Sequence, residues 1–433
     1  MNKTLHLAKI IVSNNKEPFL NGALLTEGSK ILQVGQRDDF GNIENINASV
    51  IDHEDSLICP GFINLHTHLL YSKIKDLDCS RGLFPWFEQL IDKTSNYTEK
   101  DYTDSISYGI KEAISTGTTF IVDNSPNNLS AKILSKSKIK SLIGVEIFGS
   151  DEEKAEEIYL NNINNLSLLE KTYPNISFTL SPHAPYDVSK SLWKYLIEWS
   201  VKNKKPLLTH LEESPQEKLW WNEKSGSGTT FWKKIDKLTP KLKYWRKYNS
   251  GIDFLEQNAL LTEYIIATHL CQAKNEDLVS LKNHNIKLVH CPRSNYYLNN
   301  GTANLKLWSE LNFLWCIGTD SLASNNNLDL LDEVRFAVNQ QSIIYNHSIS
   351  DKEAFCSITS NVAKIISKDS EIGSLQEGCC GDFLIYDIKE KSGYTYHDPY
   401  NLLLWELTNK KNLKEVWINS EIVWQRSELL NKI

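Results

Sequence analysis

Residues 60–68 read Pro60-Gly61-Phe62-Ile63-Asn64-Leu65-His66-Thr67-His68, an apolar run that ends on two imidazoles two positions apart. In an extended strand residues i and i+2 point to the same side, so His66 and His68 can converge on one metal ion. The pair alone decides nothing, because buried histidines are often hydrogen-bonded core residues. What decides it is whether later strand ends supply further ligands.

Outward from this run the middle of the chain alternates. Apolar, β-branched stretches at Thr118–Val122, Ser141–Phe148, Ile176–Ser181, Pro206–His210, Tyr264–His269, Ile286–His290 and Phe313–Thr319 are separated by segments of helical spacing such as Tyr102–Ser115, Glu152–Leu160 and Ser189–Val201. With Phe62–Leu65 they make eight strands, each followed by a helix or a helix-sized loop, which predicts an α/β fold: a (β/α)8 TIM barrel. An open doubly wound sheet would place a glycine-rich phosphate turn after the first strand. His-Thr-His stands there instead.

Both chain ends hold short strand-like runs with turn residues between them, Leu5–Val12, Ala23–Glu27, Lys30–Val34 and Ser49–Asp52 at one end, Asp382–Tyr386 and Leu413–Trp424 at the other. Residues 1–57 and 380–433 are therefore expected to build one small β-sandwich domain, with the barrel, 58–379, inserted between them.

At 433 residues the chain can bury a large core. Lys plus Arg number 47 against 54 Asp plus Glu, a net charge of -7, which argues against a nucleic acid or an anionic membrane as partner and for a small molecule. The eight cysteines are scattered without a Cys-x-x-Cys pair and read as reduced thiols. There is no signal-peptide pattern and no apolar run near the ~18 residues that span a bilayer, so a cytoplasmic location is expected.

In a parallel barrel the active site gathers at the C-terminal ends of the strands. His210 closes Pro-Leu-Leu-Thr-His, His269 closes Ile-Ile-Ala-Thr-His, His183 follows Ser-Pro after the fourth strand, and Asp320 closes Trp-Cys-Ile-Gly-Thr-Asp. Each alone could cap backbone groups. Four at the correct ends, added to His66 and His68, point to a metal site whose imidazole and carboxylate ligands suit Zn²⁺ or Fe²⁺. Glu213, three residues past His210, stands where a carboxylate can reach over a metal without binding it and carry protons. A bland alternative makes Glu212 and Glu213 a solvated pair opening a helix.

The ordered set Pro-Gly-Phe-Ile-Asn-Leu-His-Thr-His, Ser-Pro-His-Ala-Pro-Tyr, Thr-His-Leu-Glu-Glu-Ser, Ala-Thr-His, His-Cys-Pro-Arg-Ser-Asn and Gly-Thr-Asp-Ser-Leu-Ala-Ser-Asn resembles the signatures of the amidohydrolase superfamily, in its cytosine deaminase-like and chlorohydrolase-like branch. The resemblance implies one divalent ion, Zn²⁺ first and Fe²⁺ second, held by His66, His68, His210 and Asp320. It implies Glu213 as proton shuttle, His269 as the group that polarises the leaving group or orients the attacking water, and Asp320 as acceptor of the water's proton. His183 and Ser324 match substrate-contacting residues of the nucleoside deaminases, Trp86 an aromatic that stacks on a ring, and Glu146, in Val145-Glu-Ile-Phe-Gly, a further substrate contact. A homodimer is common in the family.

Two departures stand out. Residues 214–251 form a long insert bearing Trp220, Trp221, Phe231, Trp232 and Trp245, either a lid over the pocket or an extra helical hairpin. Ser181-Pro-His lacks the lysine of binuclear relatives, which implies a single metal. Deamination of a purine-like base or nucleoside, adenosine- or aminodeoxyfutalosine-like, is the expected activity. Guanine deamination, triazine-type C–N or C–Cl hydrolysis, and a catalytically silent binding barrel are the alternatives.

Overall fold

The computed structural model describes residues 3–223, 226–228, 230–231, 247–389 and 398–426. Strands β1 (Lys3–Ile11), β2 (Phe19–Glu27), β3 (Lys30–Gln36), β4 (Ser49–Asp52) and β5 (Ser56–Pro60) precede eight barrel strands: β6 (Phe62–Thr67), β7 (Thr118–Ser125), β8 (Lys140–Ile147), β9 (Ser177–Pro182), β10 (Leu207–Leu211), β11 (Ile265–His269), β12 (Lys287–His290) and β13 (Trp315–Ile317). Strands β14 (Phe383–Asp387), β15 (Leu413–Ile418) and β16 (Glu421–Gln425) return to the first group.

The eight expected barrel strands all form, in chain order and each parallel to its neighbour. Their continuous apolar runs follow from burial on both faces. Ile63, Leu65, Phe120, Val122, Leu142, Leu208, Ile266 and Val289 fill the interior, where Val362, Ile365 and Ile366 join them. The alternate residues, such as Phe62, Ile121, Ile143, Leu207 and Ile265, face the helices. Between β13 and β6 the ring is drawn together by Asp320 N donating to His66 O (2.9 Å) and by Asn64, whose Nδ2 donates to Thr319 Oγ1 (2.8 Å) and whose Oδ1 accepts from Thr319 N (3.2 Å). Gly318 makes this approach possible, since a Cβ there would lie 2.9 Å from the Cβ of His66.

The chain ends form one hydrogen-bonded sheet, in the order β16-β15-β14-β5-β1-β2-β3 with β4 also on β1. The antiparallel register of β14 on β5 runs from Phe383–Pro60 to Asp387–Ser56. The sheet therefore extends through Pro60, and the passage into the barrel falls at Gly61, a little beyond 57.

Helix α1 (Leu83–Thr94) follows β6 and lies over the C-terminal mouth of the barrel. Of the 214–251 insert, the helix Pro215–Glu223 is described, with Trp220 and Trp221 buried, as is the buried Phe231. Ser225, Trp232 and Trp245 lie outside the described residues. No described helix is long and apolar enough to cross a membrane.

Candidate active site

Four side chains meet at the barrel mouth. His66 Nε2 and His68 Nε2 lie 3.5 and 3.6 Å from Asp320 Oδ1, and His68 Nε2 lies 3.3 Å from His210 Nε2. Tetrahedral ligands held ~2.1 Å from one ion stand ~3.4 Å apart, so this spacing fits a shared cation. His210 Nδ1 donates to His183 O (2.9 Å), which leaves the Nε2 lone pair free to aim at the same point. His66 Nε2 is buried and has no hydrogen-bond partner among the described residues. Burial pushes His68 down to about 3, assisted by the His66 ring, and holds His210 well below its usual range. Neutral imidazoles are the form that ligates. Burial would raise Asp320, but the adjacent His66 side chain and the other imidazoles around it overcome this and hold it well below the usual carboxylate range.

The backbone at these strand ends is bent to the task. Glu212, His269 and Asp320 have φ of 49°, 83° and 60°, left-handed values that non-glycine residues adopt under constraint. At His269 and Asp320 this brings the side chain into the cavity at the barrel mouth, while at Glu212 it turns the side chain away.

Glu213 and His269 stand beside this cluster, Glu213 Oε2 3.8 Å from His269 Nε2. Asn300 Nδ2 donates to Glu213 Oε1 (3.0 Å). Burial, then the charges of Asp320 and Glu217, raises the Glu213 carboxyl well above its usual range. His269 Nδ1 is 2.9 Å from Asn295 Oδ1, and Asn295 Nδ2 is 3.2 Å from His290 Nδ1. The Asn295 amide thus fixes the His269 tautomer with the proton on Nδ1, and burial takes His269 to about 4. Glu212 faces elsewhere: its Oε1 accepts from Gly251 N (2.7 Å) and Ile252 N (3.3 Å), capping the helix Gly251–Gln257. Both glutamates are buried, so the solvated pair does not occur.

A cavity of about 240 Å³ opens over the cluster, lined by His68, His210, Glu213, His269 and Asp320 at its floor. His183 and Glu146 form one wall. Asp187 Oδ2 accepts from His183 Nδ1 (2.6 Å), which leaves Nε2 for the cavity. Burial alone would lower His183, but Asp187 and Glu146 raise it above its ordinary value. Burial lifts Glu146 to about 7, and its Oε1 has no hydrogen-bond partner among the described residues. Trp86 lines the cavity with its indole N–H donated to Ala323 O (3.1 Å). Ser324 is not among the lining residues. Its hydroxyl lies 3.3 Å from Asp320 Oδ2, beside Ser294 Oγ, which donates to the same oxygen at 2.6 Å. The Ser324 hydroxyl thus supports Asp320, because the short Ser-Leu-Ala turn folds it back under the carboxylate.

Sequence reasoning passed over Ser294, Asn295, Asn300, Asp187 and Asn124, whose Nδ2 is 2.9 Å from His66 Nδ1. The first two lie inside His-Cys-Pro-Arg-Ser-Asn, where polar residues follow a buried strand and must have buried partners. That was the available signal. The others carry none, in a chain rich in asparagine.

Comparison with known proteins places this geometry in context. Residues 57–423 match the model of the Amidohydrolase family. The chain is 26% identical to the 5-methylthioadenosine/S-adenosylhomocysteine deaminase of Carboxydothermus hydrogenoformans, over 97% of this chain and 92% of that protein. It is 28% identical to the 5'-deoxyadenosine deaminase of Methanococcus aeolicus, over 94% and 91%. A crystal structure of an adenosine deaminase from Xanthomonas campestris with bound zinc superposes with a TM-score of 0.81 at 20% identity, covering 97% of this chain and 92% of that one.

Proposed function

The chain belongs to the amidohydrolase family, and on that premise we propose that it deaminates a purine-like base or nucleoside with release of ammonia. The observation that carries this is the buried four-ligand cluster with a buried carboxyl, Glu213, beside it on a cavity floor. In this reading the barrel, expected over 58–379 and entered at Gly61, carries the chemistry, and the chain ends on either side of it form its supporting domain.

His66, His68, His210 and Asp320 would hold one divalent ion, Zn²⁺ ahead of Fe²⁺ for this nitrogen and oxygen donor set. Bound there, the ion supplies an acidified water as nucleophile near neutral pH. The chain's own groups do the rest. Asn300 donates to Glu213 Oε1, which leaves Oε2, the oxygen nearer His269, as the one that can carry a proton. From there it can pass to the departing nitrogen. His269 Nε2 offers its lone pair to orient the attacking water, because Asn295 Oδ1 accepts from the protonated Nδ1. The hydroxyls of Ser294 and Ser324 hold Asp320 Oδ2 and leave Oδ1 facing the ligand cluster. His183 and Glu146 are placed to grip the ring's edge, and Trp86 to cover its face. In the net reaction the ring C–N bond to the exocyclic amine breaks, a carbonyl forms from the water oxygen, and ammonia leaves.

The test is metal analysis of natively purified protein together with ammonia release from adenosine, 5'-deoxyadenosine, guanine and aminotriazine substrates. About one equivalent of divalent metal and ammonia from the adenine nucleosides are expected. Less than about 0.2 equivalents of Zn, Fe and Mn combined would sink the metalloenzyme reading.

A further inference from the structure

Two of the signature segments meet away from the cavity, on Glu333. This residue, on the helix Leu330–Tyr345, is fully buried and lies outside the cavity lining, as do Arg293 and Asn325. Glu333 Oε1 accepts from Arg293 Nε at 2.8 Å and from Asn325 Nδ2 at 2.5 Å, and Oε2 accepts from Arg293 N at 3.1 Å. Arg293 is the arginine of His-Cys-Pro-Arg-Ser-Asn, and Asn325 is the last residue of Gly-Thr-Asp-Ser-Leu-Ala-Ser-Asn. One carboxyl group thus joins the loop after β12 to the loop after β13.

Both loops carry groups that hold the site. Arg293 N, fixed by Glu333, stands just ahead of Ser294, which donates to Asp320 Oδ2 at 2.6 Å, and of Asn295, whose Oδ1 accepts from His269 Nδ1 at 2.9 Å. Asn325 Nδ2 donates also to Thr319 O at 2.8 Å, the carbonyl of the peptide that leads into Asp320. Asp320 has a φ of 60°, and a non-glycine residue stays in that left-handed region only where its surroundings over-determine it. The guanidinium completes the tie. It donates to Asn326 Oδ1 at 2.9 Å and to Asn327 Oδ1 at 2.7 Å, so the loop that follows Asp320 is strung on Arg293.

Resting on the metal and catalytic roles proposed for Asp320 and His269, we propose that Glu333 is a positioning residue for both, acting through Arg293 and Asn325. Groups that orient a ligand from behind change metal affinity or activity by about 10- to 100-fold when removed.

The test is E333Q, with the zinc dissociation constant measured by chelator competition and steady-state kinetics run on the zinc-saturated protein. An amide nitrogen in place of either oxygen faces an N–H donor, Arg293 N on one side or Arg293 Nε and Asn325 Nδ2 on the other, and the guanidinium loses its buried counter-charge. Zinc should bind about 10- to 100-fold more weakly, and kcat should fall by about 10- to 100-fold. KM should stay within about twofold of wild type, because neither residue that Glu333 holds lines the cavity. A role in folding alone would lower the unfolding midpoint and leave zinc affinity and the kcat of the saturated protein as they are. Either of these two quantities within about twofold of wild type therefore overturns the proposal. If E333Q does not fold, R293M/E333M, which removes both buried charges together, carries the same readings under the same criterion. If the wild type releases no ammonia from any adenine nucleoside, the deaminase reading falls, and the zinc affinity of the variant decides the proposal alone.

Discussion

Replacing Glu213 by glutamine tests the proton carrier with little change of shape. The amide oxygen of the variant can still accept from Asn300, so the loop after β10 keeps its hydrogen bond. What is lost is a group that takes and gives a proton. General acid–base catalysis is worth about 10²- to 10⁴-fold. No neighbour can substitute here. Glu217 Oε2 accepts from Glu213 N (2.7 Å) with its Oε1 toward Trp221 Nε1 (3.4 Å), and Glu212 is committed to the helix at Gly251. The loss should therefore lie toward the 10⁴ end, about 5.4 kcal/mol on the barrier at about 1.36 kcal/mol per decade. The assay is ammonia release alongside metal content.

A stability measurement on the same variant separates chemistry from damage. The folded-state pKa of Glu213 is raised above its unfolded value, so its contribution to stability is fully present below the unfolded pKa of ~4.3 and is lost as pH rises through the folded value. Glutamine does not titrate. In chelator-treated protein the E213Q unfolding midpoint should thus gain on wild type as pH goes from 5 to 8. Near-normal ammonia release with metal retained would refute the role of Glu213, and loss of metal from E213Q would move it into the ligand set.

Three further outcomes are expected. His66→Ala should lose its metal and its activity together while the circular dichroism of the barrel is retained, and full metal content in this variant would remove His66 from the ligand set. Asn295→Leu strips the partner from His269 Nδ1 and should lower kcat about 10- to 100-fold with metal still bound, whereas an unchanged kcat would show that the tautomer needs no outside hold. Arg293→Met leaves Glu333 buried without the guanidinium that donates to it at 2.8 Å, and should destabilise the protein by about 3–5 kcal/mol in denaturant titration, so a shift under 1 kcal/mol would contradict a paired role.

Much of the fold was legible because a buried parallel strand leaves a mark that does not depend on context. Runs such as Ile265–His269 are apolar on both faces, and the break from this pattern to His or Asp marks the strand end. Metal-type residues are rare enough at such ends to be noticed. The hydrogen bond of Ser324 to Asp320 Oδ2 was not legible, because spacing from Asp320 cannot say toward which side a turn folds. The mouth of the cavity was hidden for another reason. Trp86 showed in the sequence, but Phe87, Ile91 and Phe148 look like ordinary helix and loop residues until α1 is laid across the barrel, and nothing local specifies that placement.

The residues that orient the site also follow a rule that only the closed ring reveals. The His66 ring on β6 is met by Asn124 on β7, and His210 on β10 is held by the carbonyl of His183, just past β9. His269 on β11 and Asp320 past β13 are both held from the segment after β12, by Asn295 and Ser294. Asp320 N in turn donates to His66 O across the last seam. His66, His210, His269 and Asp320 are thus each held from the segment of an adjacent strand, Asp320 from its own Ser324 as well. The spacing of the four ligands is then a property of the ring's circumference, and opening the seam at Asn64 and Thr319 would separate His66 from Asp320 before any strand lost its core. This is why a site spread from His66 to Asp320 in sequence can hold its donors near the ~3.4 Å spacing that one ion needs.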